Sequence, residues 1–331
     1  MPTAPIRWGI LSTARIAENA FIPAVRQTVR GQVVAVASRD RARGEAFARK
    51  HEIPQVFADY AALLASDTVD AIYNPLPNTL HAEWTKRAAD HGKHIFCEKP
   101  LAVTSAEAQG MVEHCQRAGV LLTEAFVFLS HPQTLKLREI VDSGAIGNLL
   151  QLHAHLTFAL ARPTDNIRLN QSLGGGSLLD AGGYPITFAR FAFGAEPVGV
   201  QAACRIDPEY NVDSRIAMVL SFSHERMATL QTGVDAMGGP GAFLFGDKGY
   251  IEVPQPYHPR AQSHFIVHTA AGAETVNVDT GQLPFTPALE EFHACLLDGA
   301  PLRVSAANAI GTLRIIEAVL ESGRSGARIA L

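Results

Sequence analysis

Residues 6–17 read Ile6-Arg7-Trp8-Gly9-Ile10-Leu11-Ser12-Thr13-Ala14-Arg15-Ile16-Ala17. A mostly apolar run comes first and is followed by a turn of small residues. A helical segment then begins, and we predict that it runs from Arg15 to about Val29. A strand, a tight turn and a helix in this order form the first half of a βαβ unit. The fold class therefore depends on whether strands and helices continue to alternate.

The alternation continues to about residue 125. Apolar strands are predicted at Val33–Ser38, Ala71–Tyr73, His94–Cys97 and Val120–Thr123, and helices at Asp40–His51, Thr79–His91 and Ser105–Ala118. Strands that are apolar almost throughout are typical of a parallel sheet covered on both faces. The fold class is therefore α/β, and the N-terminal part is predicted to be a doubly wound parallel sheet.

In the rest of the chain, strands and helices no longer alternate regularly. Residues 149–160 form a long predicted strand, and several β-branched runs between Val198 and Val278 are separated by Gly, Pro and Asn turns. Such runs predict an antiparallel or mixed sheet. Two helices are predicted to follow, at 286–297 and 305–323. We expect two domains, residues 1–125 for dinucleotide binding and residues 126–331 for substrate binding and oligomerisation.

Composition excludes several classes of function. The 331 residues carry 28 Lys and Arg against 32 Asp and Glu, a formal net charge of −4, so nucleic acid is not an expected partner. The four cysteines are scattered without a Cys-x-x-Cys pair, which argues against a disulfide framework or a cysteine zinc site. No apolar run is long enough for a membrane helix, and the N-terminal residues lack a signal-peptide pattern. We expect a cytoplasmic protein.

The first turn is a candidate cofactor site. Dinucleotide folds usually carry G-x-G-x-x-G/A after the first strand, and here Ser12 and Ala14 replace the first two glycines. The residues remain small, and a helix N-terminus at this place directs N–H groups towards a phosphate. The expected cofactor contacts in this turn are Ser12, Thr13, Ala14, Arg15 and Ile16. An ordinary strand–helix turn is the alternative.

The end of the second strand bears on the choice of cofactor. An NAD site usually has Asp or Glu there, but this chain has Ser38 and Arg39. A guanidinium can pair with a 2′-phosphate, and Arg43, one turn into the next helix, could assist. NADP is therefore favoured, with NAD as a possibility. Asp40 is more simply the helix cap, and solvated surface charge is the alternative for both arginines.

Three residues are candidates for catalysis. Lys99, in Glu98-Lys99-Pro100, follows a parallel strand at its carboxyl end, where an ammonium can lower the pKa of a substrate hydroxyl. Asp180 and Tyr184 lie four residues apart after the Gly174-Gly175-Gly176 run, near the N-terminus of an apolar helix. The alternatives are a surface lysine, a helix cap and a core tyrosine.

Together these motifs resemble the glucose–fructose oxidoreductase/inositol dehydrogenase (Gfo/Idh/MocA) family over essentially the whole chain. The resemblance rests on the first strand, Glu98-Lys99-Pro100, Glu124-Ala125-Phe126, His131-Pro132-Gln133, the segment from Gly174 to Tyr184 and Gly246-Asp247-Lys248-Gly249. It is closest to the branch of dimeric dihydrodiol dehydrogenase and NADP-dependent D-xylose dehydrogenase. The chain departs from that branch at Phe128-Leu129-Ser130, where Leu129 stands in place of the usual arginine.

The resemblance implies a Rossmann domain followed by an α/β domain whose open, mostly antiparallel sheet forms homodimer or homotetramer interfaces. It implies a cis peptide before Pro100, with Lys99 polarising the reacting oxygen, Tyr184 transferring a proton and Asp180 as its acidic partner. Glu98 and the turn from Pro75 to His81 would contact the cofactor. The implied contacts in and beside that turn are Pro75, Leu76, Asn78, His81, Glu98 and Lys99.

These residues favour an NADP(H)-dependent oxidoreductase that moves hydride between nicotinamide and a hydroxyl-bearing carbon of a sugar, polyol or dihydrodiol. An NAD-using glycoside hydrolase or lyase of the same fold and a non-catalytic dinucleotide-binding regulator stay open as alternatives. Asn166 and Arg168, before the glycine run, are weaker candidates for substrate contact. His153 and His155 alternate on a predicted strand, but without a nearby carboxylate they predict sheet-face histidines rather than a metal site.

Overall fold

The computed structural model describes residues 4–331 and divides into two compact units. The first unit comprises the described chain up to Ala102 together with Ala106–Ser130 and Gln282–Ala309. The second comprises Val103–Ser105, His131–Gly281 and Ile310–Leu331. This division differs from the expected boundary after residue 125, because a late segment of the chain returns to the first unit.

The first unit is built on a six-stranded sheet. Its strands are β1 (Ile6–Leu11), β2 (Gly31–Ala37), β3 (Gln55–Phe57), β4 (Ala71–Asn74), β5 (His94–Cys97) and β6 (Leu122–Glu124). They pair in parallel in the order β3-β2-β1-β4-β5-β6. The order reverses direction between β1 and β4, which is the switch point of a doubly wound fold, where ligands bind at the carboxyl ends of the strands. The predicted fold class of this part is confirmed.

The helices alternate with the strands largely as the sequence predicts. They are α1 (Ile22–Gln27), α2 (Arg41–His51), α3 (Tyr60–Leu64), α4 (His81–Asp90), α5 (Ser105–Arg117), α6 (Pro132–Asp142), α7 (Gly183–Phe193), α8 (Thr286–Asp298) and α9 (Ala307–Ser325). Two α-helices follow a π-helical turn directly: Ala17–Phe21 precedes α1 and Leu178–Gly182 precedes α7. Among the described helices, none is long and apolar enough to cross a membrane.

The core of the first unit explains why α8 belongs to it. Trp8 on β1 is fully buried, and its ring centroid lies 5.3 Å from that of Phe21 and 5.1 Å from that of Phe292 on α8. The indole Nε1–H of Trp8 donates to Nε2 of His293, also on α8, at 3.1 Å. Large aromatic rings contribute most to core stability, and a buried indole N–H needs an acceptor. Both requirements are met by a helix that is distant in sequence.

The second unit contains a nine-stranded mixed sheet. Its strands are β7 (Leu149–Ala159), β8 (Gly199–Ile206), β9 (Asp213–Ser221), β10 (Met227–Gly233), β11 (Asp235–Gly246), β12 (Gly249–Val253), β13 (Gln262–Thr269), β14 (Gly272–Asp279) and β15 (Ile329–Ala330). The order is β14-β13-β12-β11-β7-β10-β9-β8-β15, and only β7 and β10 pair in parallel. This confirms the predicted open, mostly antiparallel sheet.

Alternation along these strands separates two faces. Leu152, Leu244 and Ile251 are buried on one face, whereas Phe245 and Tyr250 point to the other and are 38% and 37% exposed. Phe245 and Tyr250 are direct cross-strand partners. Side chains in a strand alternate between faces, so one face of this sheet packs inside the unit and the other is open and partly aromatic.

Candidate active site

The turn after β1 bends sharply at Ser12. Ser12 has a φ of +86°, a backbone conformation that favours glycine, and its N–H donates to the carbonyl of Ala37 at the end of β2, at 2.9 Å. The helical run then begins at Arg15. Ser12 therefore takes the backbone geometry of the first glycine of a dinucleotide turn although the residue itself is not glycine.

A cavity of about 190 Å³ opens beside this turn, at the carboxyl ends of β1 and β2. It is lined by Ser12, Thr13, Ala14, Ser38, Arg39, Asp40, Arg43 and Tyr60. The first turn and the end of β2, which the sequence singled out separately, thus share one cavity. Tyr60 was not predicted, because nothing in its local sequence distinguishes it from a core residue of a short helix.

The polar groups of this cavity suit an anion. Ser38 is buried at the end of β2, and its Oγ accepts the backbone N–H of Asp40 at 3.3 Å. The carboxylate of Asp40 caps α2 by accepting the N–H of Arg43 at 3.0 Å. Arg39 and Arg43 are both exposed, and within residues 4–331 neither guanidinium forms an ion pair. Two unneutralised guanidiniums beside a hydroxyl match the donors that a phosphate monoester requires.

The turn after β4 is held from inside the unit. The side chain of Asn74 is completely buried; its Nδ2 donates to Oγ1 of Thr85 at 3.2 Å, and its Oδ1 accepts the N–H of Leu76 at 3.4 Å. Pro75 lies between these residues, and Asn78 begins a 3-10 turn that leads into α4. The loop is therefore ordered by a buried amide.

His81 lies behind this turn rather than on its surface. Its side chain is fully buried, with Nδ1 2.8 Å from the carbonyl oxygen of Pro100 and Nε2 2.7 Å from that of Leu76. Burial lowers the pKa of His81, so the ring is neutral near pH 7 and donates through one nitrogen. This differs from the expected cofactor contact, because both ring nitrogens face backbone carbonyls. The ring connects the turn after β4 with the turn after β5.

Lys99 follows β5 in a well-defined loop. The N–H of Glu98 donates to the carbonyl of Asn74 at 3.0 Å, and Oε1 of Glu98 accepts the hydroxyl of Tyr73 at 2.7 Å. The Lys99–Pro100 peptide is cis, as the resemblance implied, and Lys99 is half-buried. Beyond it, the N–H of Leu101 donates to the buried carboxylate of Glu124 at 2.8 Å. Bonds to the backbone thus fix the loop on both sides of Lys99.

In the second unit the glycine run makes close contacts. A Cβ at Gly175 would lie 2.7 Å from the carbonyl oxygen of Arg168, and Gly176 has a φ of +124°. Two short 3-10 turns, Ile167–Leu169 and Gln171–Leu173, precede the run, and the side chain of Asn166 caps the first of them. These positions need glycine for both space and conformation. Asn166 therefore has a local structural role as a cap.

The glycine run leads directly to Asp180 and Tyr184. Asp180 lies in the π-helical turn that precedes α7, and Tyr184 lies in the first turn of α7. Oδ2 of Asp180 accepts Nε–H of Arg168 at 2.7 Å in an ion pair in which Arg168 is 41% exposed and Asp180 15%. The structure thus pairs a candidate substrate residue with a candidate catalytic residue. Single π-helical turns inside helices are frequent at functional sites.

Tyr184 is surrounded by aromatic rings from the loop after β12. Its ring centroid lies 4.9 Å from that of His258 and 5.6 Å from that of Tyr257. Complete burial raises the pKa of Tyr257 well above its usual value, so its phenol stays protonated. No local pattern connects this Pro-rich loop with Tyr184, because the contact joins elements that are distant in the chain.

The two histidines on β7 lie side by side. The ring centroids of His153 and His155 are 5.6 Å apart, and Nδ1 of His153 is 3.1 Å from Oγ1 of Thr229 on the neighbouring strand. Within residues 4–331 no group of three or more His, Cys, Asp or Glu side chains is arranged to hold a metal ion.

Leu129, where the resemblance leads one to expect an arginine, is buried in a 3-10 turn of the first unit.

Comparison with known proteins finds the same oxidoreductase family in both parts of the chain. The family description "GFO_IDH_MocA: Oxidoreductase family, NAD-binding Rossmann fold" matches residues 6–126, and the GFO/IDH/MocA C-terminal domain matches residues 134–252. A D-xylose 1-dehydrogenase (NADP⁺) of Haloferax volcanii is 34% identical over 333 residues, covering 98% of this chain and 99% of that protein.

Solved structures are similar over nearly the full length. KijD10, a 3-ketoreductase from Actinomadura kijaniata solved with NADP and TDP-benzene, has a TM-score of 0.90 at 30% identity, covering 96% of this chain and 98% of that one. The aldose–aldose oxidoreductase from Caulobacter crescentus, solved with glycerol, has a TM-score of 0.92 at 25% identity, covering 99% of this chain and all of that one (100%).

Proposed function

Because the chain belongs to the GFO/IDH/MocA oxidoreductase family, we propose that it is an NADP(H)-dependent dehydrogenase or reductase acting on a hydroxyl-bearing carbon of a sugar, or of a related polyol or dihydrodiol. The observation that carries the cofactor part is the cavity lined by Ser38, Arg39 and Arg43. The chemistry rests on Lys99, Asp180 and Tyr184, the set of catalytic residues that the family resemblance implies.

The residues of the cavity fit NADP better than NAD. A 2′-phosphate would be bound by the guanidiniums of Arg39 and Arg43 and by the hydroxyl of Ser38. NAD-binding folds instead place a carboxylate at the end of the second strand to bind the ribose. The nearest carboxylate here, Asp40, is occupied as the cap of α2. Ser12, Thr13 and Ala14 would line the pyrophosphate.

When bound, the nicotinamide supplies or accepts the hydride. We assign Tyr184 to proton transfer with the substrate oxygen, because it stands at the start of α7 after the glycine run. We assign Lys99 to stabilising the negative charge that develops on a substrate oxygen. Asp180, anchored by Arg168, orients the substrate or tunes Tyr184. Arg168, which is 41% exposed, is assigned to binding a substrate hydroxyl as well.

The test measures absorbance of reduced nicotinamide with a panel of aldoses, inositols, ketosugars and dihydrodiols, in both directions. We expect turnover with NADP(H) for at least one class, and a loss of about 100-fold or more in kcat for Lys99→Met with NADPH affinity retained. Lys136→Met is the matched control, since Lys136 is an exposed lysine paired with Glu139 on α6. A Lys99→Met enzyme within a few-fold of wild type would contradict the assignment.

The alternatives make different predictions. An NAD-using hydrolase or lyase would hold its cofactor without dissociation and show no net change in nicotinamide absorbance. A regulator would bind NADPH tightly and turn over no member of the panel. Either result would replace the dehydrogenase proposal.

We also propose that the protein is a homodimer or homotetramer that uses the open face of the nine-stranded sheet. Val219, Met227, Phe245 and Tyr250 expose apolar side chains there, on four different strands. Contiguous exposed apolar surface is typical of protein interfaces. Light scattering on wild type and Phe245→Glu tests this, and an unchanged mass for the variant would argue against this face.

A further inference from the structure

Asp213 is a buried carboxylate that the proposed mechanism does not use. It stands at the start of β9 and is 8% exposed. Within residues 4–331 it pairs with no Lys, Arg or His. Its Oδ2 accepts the hydroxyl of Ser177 at 2.8 Å and the backbone N–H of Leu178 at 2.6 Å. A buried charge without an ion pair depends on such donors for its stability.

The glycine run is shaped around this carboxylate. A Cβ at Gly176 would collide with Oδ1 of Asp213, so glycine at this position lets the carboxylate reach the turn. On the other side, Oγ1 of Thr232 on β10 donates to the carbonyl of Ser177 at 3.2 Å. Two neighbouring strands, β9 and β10, thus hold residues 176–178 through three side-chain hydrogen bonds.

The held residues lead into the π-helical turn of Asp180. Leu178 is the first residue of that turn, and the N–H of Asp180 donates to the carbonyl of Gly176 at 3.2 Å. The same helical run continues into α7 with Tyr184. A shift of Leu178 relative to the sheet would therefore displace both Asp180 and Tyr184.

We propose that Asp213 is a positioning residue of the active site: its carboxylate caps the helical run at Leu178 and thereby fixes Asp180 and Tyr184 relative to the nine-stranded sheet. The effect on catalysis rests on the proposed function. The capping of Leu178 by Asp213, called the clamp below, does not depend on that function. A negative group that accepts N–H groups at the start of a helical run is stabilised there. Burial raises the pKa of Asp213 above its usual value, and the bonds from Ser177 and Leu178 offset only part of that rise.

The experiment compares Asp213→Asn with Asp213→Leu. The amide oxygen of asparagine still accepts the two bonds, whereas leucine has a similar volume and accepts none. We expect Asp213→Leu to lower kcat about 100-fold, because small displacements of reacting groups have effects of that size, with KM and the Kd for NADPH within about threefold. Asp213→Asn should retain kcat within about tenfold of wild type.

Hydrogen–deuterium exchange tests the clamp without catalysis. We expect faster exchange of amides 177–184 in Asp213→Leu, with little change in Asp213→Asn. The comparison variant is Asp207→Leu: Asp207 is also buried and accepts the N–H groups of Glu209 and Tyr210, at 3.0 and 3.1 Å, but it is also paired with Arg162. That variant should leave exchange at 177–184 unchanged.

Three results would overturn the proposal: Asp213→Leu retains kcat within threefold, Asn and Leu at this position lose activity equally, or exchange at 177–184 rises no more than in Asp207→Leu. If Asp213→Leu does not fold, Ser177→Ala removes one of the bonds to Asp213 and gives the same readouts. If wild type turns over no substrate, the proposed function fails, and the exchange data still decide the clamp.

Discussion

Removing the guanidiniums of Arg39 and Arg43 should abolish the preference for NADPH over NADH. Both side chains line the cavity at the end of β2, and both are exposed and without an ion pair in residues 4–331. A hydrogen bond to a charged group contributes about 1.5–3 kcal/mol, and exposure places each arginine at the lower end. The double substitution by alanine should therefore cost about 3 kcal/mol, or about 100-fold in the Kd for NADPH.

The assay is titration of NADPH and NADH fluorescence with wild type, each single variant and the double variant. NADH has no 2′-phosphate, so its Kd should stay within about twofold. Each single variant should raise the Kd for NADPH about tenfold, and this effect should become smaller as the salt concentration is raised. Arg41→Ala is the control, because Arg41 lies on the same helix, pairs with Glu45 at 2.9 Å and does not line the cavity.

Three outcomes would refute this reasoning. Equal losses for NADPH and NADH would mean that the arginines act on a part common to both cofactors or on the fold. An unchanged Kd for NADPH in the double variant would mean that the cavity does not hold the 2′-phosphate. A loss of NADPH affinity in Arg41→Ala as large as that in Arg39→Ala would mean that the effect comes from general surface charge and not from contact with the 2′-phosphate.

Four further perturbations test other parts of the structure. Tyr184→Phe should lower kcat about 100-fold or more without changing the Kd for NADPH, as measured by stopped-flow absorbance and fluorescence titration. Arg168→Gln should raise KM for the substrate and also lower kcat, because Asp180 loses its partner at 2.7 Å. A rise in KM with an unchanged kcat would mean that Arg168 contributes to substrate binding alone. Ser12→Gly should raise the free energy of unfolding by about 1 kcal/mol in urea titrations, because the φ of +86° disfavours serine. Burial lowers the pKa of His293 to about 4, below its unfolded value, so the unfolded chain binds the proton more readily and stability falls as the pH drops below about 6.5. Between pH 7 and 5 this fall is about 2 kcal/mol from His293, and His293→Gln, which keeps an acceptor for Trp8, should lose less stability over the same interval.

Local patterns explain which elements were predictable. The strand His94–Cys97 and the cap at Asp40 coincide with the structure, because apolar runs and capping residues act within a few positions. The two short strands β3 and β15, each at an edge of its sheet, were not predicted. Strand pairing is decided by partners elsewhere in the chain, and short edge strands carry little pattern of their own.

The candidate site also has parts that local sequence predicts and parts that depend on tertiary contacts. The first turn and the end of β2 were predicted from residue type, and they do line one cavity. The burial of His81, the partnership of Arg168 with Asp180 and the carboxylate of Asp213 under the glycine run were not predictable. Each is a tertiary contact, and residue type alone does not say whether a polar side chain faces solvent or a backbone group.

His81 and Asp213 show a common physical arrangement in the two units. Each is a buried polar side chain with a contact to the backbone close to a candidate catalytic residue: Nδ1 of His81 lies 2.8 Å from the carbonyl oxygen of Pro100, next to Lys99, and Asp213 accepts the N–H of Leu178, two residues before Asp180. Burying a polar group is unfavourable unless its bonds are satisfied, and an apolar residue of the same size is often at least as stabilising. A core selected for stability alone would therefore gain little from either side chain. Their presence beside Lys99 and Asp180 is better explained by geometry, since hydrogen bonds fix direction as well as distance, and a reacting group must be held in both.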